Sequence, residues 1–227
     1  MLIRWIGQSG YVIKSGNTEI IIDPYLSDAV NRIAGRARLV EAPFTPESIN
    51  ADAVVCTHKH IDHLDCDAVA KMPKGTRFIT TEEGAAALKE HGQENTQTLK
   101  EGESIKIGDI RLTAVFADHT VEAFGLIVNA EEVTLYFSGD TLYNEKLFEI
   151  AEYRPDITFI CINGKLGNMN WQEAAKTAIK IGARINIPNH YGMFASNTED
   201  PLPFLREVPG GKALEFNTEY NIDSLFK

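Results

Sequence analysis

Three histidines crowd into one short stretch, Thr57-His58-Lys59-His60-Ile61-Asp62-His63, directly after the apolar run Ala53-Val54-Val55-Cys56. Such a cluster requires a fold in which a buried strand ends at a polar edge, because functional groups gather on loops that a rigid scaffold positions. In an extended backbone alternate side chains point the same way, so His58 and His60 can address one ion together. Asp62 and His63 follow where the chain turns toward a helix expected after Asp65, and they can face a second ion nearby. Lys59 alternates away from its histidine neighbours.

Three further candidates occur singly, each at the end of an expected strand: His119 in Ala117-Asp118-His119-Thr120, Asp140 in Ser138-Gly139-Asp140-Thr141, and His190 in Pro188-Asn189-His190. Five of the six histidines thereby find a place in one site. The sixth, His91, reads as a residue of a last helical turn, where a cation complements the helix dipole. Imidazoles with carboxylates suit zinc, manganese or iron, and the lack of cysteine in the set argues against a thiolate-rich structural zinc. Two divalent ions about 3.5 to 4 Å apart would form a hydrolytic pair.

The patterning predicts strands over 2–6, 11–14, 19–23, 53–56 and 77–80, then 104–107, 110–116, 123–128 and 133–138, and finally 157–162 and 184–187. Helices are expected at 82–91, near 145–153, and at 171–181, the last with Asn170 and Glu173 able to cap it reciprocally and Gly182 to end it. Residues 26–50 fit no regular element. Strands in each half with helices between them predict an α+β fold, two sheets packed face to face under outer helices, as one domain over residues 1–227.

With 227 residues, 44% of them apolar, the chain has ample material for a core. Its formal charge of −10 argues against nucleic-acid binding, which needs clustered Lys and Arg. Cys56, Cys66 and Cys161 form no CxxC pair, and no apolar run reaches membrane-spanning length, so a reduced, soluble, cytoplasmic protein without membrane contact is expected. Self-association into a homo-oligomer is compatible with this composition.

The order His-x-His-x-Asp-His followed by distant His, Asp and His resembles the signature of the metallo-β-lactamase-fold hydrolases, with all seven positions matched between residues 58 and 190. The resemblance implies an αββα four-layer sandwich of two similar halves, with metals at one edge of the sheets. It implies that His58, His60 and His119 hold one ion, that Asp62, His63 and His190 hold another, and that Asp140 bridges them.

A closer likeness, to the L-ascorbate-6-phosphate lactonase group, is carried by Ile22-Asp23-Pro24, Cys161-Ile162-Asn163-Gly164-Lys165, Gly167-Asn168-Met169-Asn170 and Asn189-His190-Tyr191-Gly192-Met193-Phe194. It implies a small anionic, sugar-phosphate-like lactone or ester, opened by water that two divalent ions activate, with Asp62 as the catalytic carboxylate. Asn163, Lys165, Asn168 and Tyr191 are then candidate substrate contacts, with a phosphate partner among Arg32, Arg36 and Arg38. Asp23 is either a turn residue before Pro24 or a carboxylate that orients a ligand histidine. Two rival readings are a phosphodiesterase, since the same ion pair serves attack at phosphorus, and a non-catalytic metal-binding or regulatory module, against which the complete ligand set argues.

Overall fold

Short apolar runs on both sides of the chain's midpoint assemble, in the computed structural model of residues 1–227, into two facing sheets. Strands β1 (Leu2–Gly7), β2 (Gly10–Ser15), β3 (Thr18–Ile22), β4 (Ala53–Val55), β5 (Phe78–Thr80) and β6 (Thr96–Thr98) lie in that order in the first sheet. Strands β7 (Ser104–Ile107), β8 (Ile110–Val115), β9 (Gly125–Ala130), β10 (Val133–Phe137), β11 (Ile157–Cys161) and β12 (Ile185–Asn189) form the second, and β13 (Glu219–Asn221) returns to the first beside β1.

The two sheets share a plan. In each, neighbouring strands early in the sequence pair antiparallel, through tight turns except for the longer β8–β9 loop that carries His119, and the later ones pair parallel through helical crossovers. β3 and β4 therefore run in one direction, and β8, β10, β11 and β12 run in one direction. Every expected site residue lies just beyond the carboxyl end of one of these six strands, the position that parallel pairing leaves open to a ligand.

Side-chain alternation explains the layers. Ile20 and Ile22 of β3 face the second sheet, joining Leu126, Val128, Phe137 and Phe159 in the central core, while Ile21 faces outward. That outer face is covered by α2 (Cys66–Val69) and α3 (Glu82–Glu90), through Ala68, Val69 and Leu88. The far face of the second sheet is covered by a 3₁₀ stretch Glu145–Tyr153, by α4 (Trp171–Ile181) and by α5 (Leu202–Glu207). Burial on both faces is why Ala53-Val54-Val55 reads as one unbroken apolar run. The result is the expected α+β sandwich, with helices outside two sheets.

α4 has the reciprocal cap, Asn170 accepting from Glu173 N and Glu173 accepting from Asn170 N, and ends at Gly182. Residues 145–153 wind more tightly than the expected α-helix. β6 and β13 carry no apolar alternation because they are the polar edges of the first sheet. The segment 26–50 contains α1 (Ala29–Ala34) and a 3₁₀ turn at Pro46–Ser48. Buried Asp65 ties it down: its carboxylate accepts from Leu26 N at 2.9 Å, Ser27 N at 2.7 Å and Ser27 Oγ at 2.6 Å, and also caps α2 through Ala68 N at 3.1 Å. All three cysteines are free, and no helix is long and apolar enough to cross a membrane.

Candidate metal centre

The ends of β4, β8, β10 and β12 bring all seven expected donors together. His58, His60, His119 and Asp140 offer ligand atoms within 4.8 Å of one another, and so, as a second group, do Asp62, His63 and His190. Asp140 turns one oxygen to each group. Its Oδ1 lies 3.1 Å from His63 Nε2 and 3.3 Å from His190 Nε2, and its Oδ2 lies 4.0 Å from His58 Nε2 and 3.9 Å from His119 Nε2.

The outward ring nitrogens fix the tautomers. Thr57 Oγ1 donates to Asp23 Oδ2 at 2.8 Å, so toward His58 Nδ1, 3.1 Å away, it can only accept. His119 Nδ1 donates to Gly167 O at 3.0 Å. The Nε2 atoms of neutral His58 and His119 are therefore bare, and each lies 3.0 Å from His60 Nδ1. One proton on His60 could satisfy at most one of them. Lone pairs converging on a common point beside the buried Asp140 carboxylate are the arrangement a cation relieves. The donor chemistry fits borderline divalent ions.

Electrostatics agrees with that fit. Burial, reinforced by neighbouring imidazoles, keeps His58 and His60 below the ordinary histidine pKa. Burial also opposes charge on His63 and His190, but Asp140, Asp23 and Asp62 outweigh it at His63, and Asp140 with Asp62 raises His190 to about 9. Burial raises the Asp62 and Asp140 carboxyls, yet His63 and His190 outweigh it and hold both well below the usual carboxylate range. Protons on His63 and His190 thus stand where a metal cation would balance the buried carboxylates.

Asp23 takes the orienting position. It accepts from His63 Nδ1 at 2.8 Å and from Thr57 N at 2.7 Å. Asp23 and His190 adopt left-handed backbone, with φ of 43° and 61°, a conformation held against its cost by the packing around it. Gln8, in the β1–β2 turn, donates to Asp62 Oδ2 at 2.7 Å and sits 3.0 Å from His190 Nε2. No spacing or periodicity marks Gln8 in the sequence.

A cavity of about 450 Å³ opens over the cluster, with His60, Asp62, Asp140 and His190 in its lining. Of the expected substrate contacts, Asn168 lines it, buried and with both carboxamide atoms unpartnered. Asn163, Lys165 and Tyr191 do not. Asn163 Nδ2 donates to Asn197 Oδ1 at 2.9 Å, which turns the Asn197 amino group away from that contact, and Asn197 lines the cavity. Lys165 Nζ reaches Ser196 O at 3.3 Å on the surface, and the Tyr191 ring packs 5.1 Å from that of Trp5. Among the three arginines, Arg32 is paired with Asp67 and Arg38 is bonded to the carbonyls of Val40 and Ser27. Arg36 lines the cavity. Lys59 points away, to Glu83 at 3.2 Å, and His91 follows the last turn of α3.

A family model described as a beta-lactamase superfamily domain matches residues 18–191. A UPF0173 metal-dependent hydrolase of Methanopyrus kandleri is 30% identical, the match covering 92% of this chain and 91% of that protein. One from Pyrobaculum aerophilum is also 30% identical, over 92% of each. Among solved structures, an isothiocyanate hydrolase from Delia radicum gut bacteria superposes with a TM-score of 0.82 at 20% identity, covering 98% of this chain and 99% of that one. A metallo hydrolase from Ignicoccus hospitalis gives 0.77 at 20% identity, over 97% and 98%. At that identity the two structures speak to the fold. With the family model, the near full-length relatives and the clustered donors in agreement, the chain belongs to the beta-lactamase superfamily, among the UPF0173 metal-dependent hydrolases.

Proposed function

We propose that this hydrolase opens a small anionic lactone or ester, with His58, His60 and His119 holding one divalent ion, Asp62, His63 and His190 a second, and Asp140 shared between them. The observation that supports it best is the cavity over the donors, whose lining includes Arg36 together with Asp62 and Asp140. Zinc, manganese or iron bound there would supply Lewis acidity and lower the pKa of water from 15.7 toward about 7.

Asp62 is the catalytic carboxylate. It is ionised at neutral pH, and Gln8 and His190 fix Oδ2, at 2.7 and 3.4 Å. Held there, it takes a proton from the attacking water as the new C–O bond forms and gives that proton to the alkoxide as the acyl–oxygen bond breaks. Arg36, in the cavity lining, meets the anionic group of the substrate. The lactone preference rests on the loops 161–170 and 189–194, whose Asn168 borders the cavity. A reduced cytoplasmic setting suits the three free cysteines.

The test reconstitutes metal-free protein with zinc, manganese or iron and assays phosphorylated sugar lactones, simple lactones and bis(p-nitrophenyl) phosphate. Lactone turnover is expected, lowered on the order of 10²- to 10⁴-fold by Asp62→Asn at unchanged unfolding temperature. Activity on the diester alone would overturn the ester reading in favour of phosphodiester cleavage.

A further inference from the structure

Leu166 combines two features that a surface loop residue does not need. It is 56% exposed, and its backbone φ of 56° lies in the left-handed region that leucine rarely enters. A lone exposed apolar side chain calls for no explanation. Here strain and exposure coincide on the wall of the cavity, in a loop pinned by Gly164 N to Met169 O and Met169 N to Thr141 O, both at 2.9 Å.

Four more apolar side chains share the lining with the donor cluster and its polar neighbours. Val30 and Ala34 reach it from α1, Ile61 from the histidine turn, and Phe194 from the loop after β12. Arg36 is its one Lys or Arg. These five side chains offer a sugar phosphate's hydroxyls no hydrogen bond, and among the uncharged polar side chains of the lining only Thr120, Asn168 and Asn197 could. A substrate with one anionic or carbonyl head and an aliphatic arm satisfies both the charge and the wall.

We infer that the cavity selects substrates carrying an aliphatic arm, with Leu166 as the specificity-determining residue; this rests on the reading of the site as a lactone and ester hydrolase. The arm lies along Leu166, Val30 and Ala34, and the head meets Arg36 and the donor cluster.

Two series on zinc-loaded protein test it. Turnover is measured on γ-butyrolactone, γ-hexalactone and γ-octalactone, and binding of butanoate, hexanoate, octanoate and glucose 6-phosphate is measured by calorimetry. Both kcat/KM and affinity should rise about fourfold per methylene, and octanoate should bind more tightly than glucose 6-phosphate. Leu166→Asn, chosen because asparagine tolerates left-handed backbone, should flatten both slopes at wild-type zinc content, as should Leu166→Gly. A flat series in the wild type, tighter binding of glucose 6-phosphate, or an undiminished slope in both variants would overturn the assignment. If no lactone is turned over while the carboxylate series still rises and depends on Leu166, the wall stands and the lactonase reading falls.

Discussion

Asp23 accepts a 2.8 Å hydrogen bond from His63 Nδ1, joining the end of β3 to a donor 40 residues further along the chain. The same carboxylate holds Thr57, whose hydroxyl orients His58, so one buried side chain sets imidazoles in both donor groups. Asp23→Asn keeps a side chain that tolerates a φ of 43° and removes the charge. Metal affinity should fall roughly 10- to 100-fold in competition with a chelator, and the unfolding temperature should fall too, because the buried amide NH2 meets donors where the carboxylate accepted. Unchanged affinity would show that Asp23 is only a turn residue before Pro24.

Gly167 serves the other group from behind. Its φ is 92°, and a methyl group there would stand 3.0 Å from the His119 ring. Gly167→Ala therefore incurs a left-handed backbone penalty of about 1–2 kcal/mol and pushes on a donor. Calorimetry should show a lower unfolding temperature, by roughly 2–8 °C for a chain of this size, and metal analysis should show reduced occupancy. Full occupancy at wild-type affinity would mean that the ring gives way harmlessly.

His190 makes the metal-free protein sensitive to alkali. Its folded pKa of about 9 exceeds the unfolded value of about 6.5, so its contribution to stability is complete below pH 6.5 and is lost as pH rises through 9. The unfolding temperature of metal-free protein should fall across that window. A bound ion takes the place of the proton, so the loaded protein should show a flatter profile and release protons when metal is added. Parallel profiles with and without metal would contradict this assignment of charge.

Much of the fold was legible because its strands are either alternating or uniformly apolar, and because α4 carries its own start and stop residues. The edges were not: Thr96-Gln97-Thr98 and Glu219-Tyr220-Asn221 pair on one side only and carry polar side chains that resemble loop. The donor set could be read from histidine density and from residues at strand ends. The cavity wall could not, because part of it depends on how residues 26–50 fold back, held by Asp65 across 38 and 39 positions and by the bond from Leu39 N to Met193 O. Asn163 shows the remaining gap. It lies one layer behind the cavity, bonded to Asn197 34 residues away, and no local pattern announces that partner.

Seven side chains from both sheets are proposed to hold two ions, with Asp140 between them. Crystals of zinc-loaded protein, measured at the zinc absorption edge, address it directly. Two anomalous peaks about 3.5 to 4 Å apart are expected, one beside His58, His60 and His119, the other beside Asp62, His63 and His190, with Asp140 contacting both. A single peak outside these groups, or none at a zinc content that accounts for activity, would contradict it.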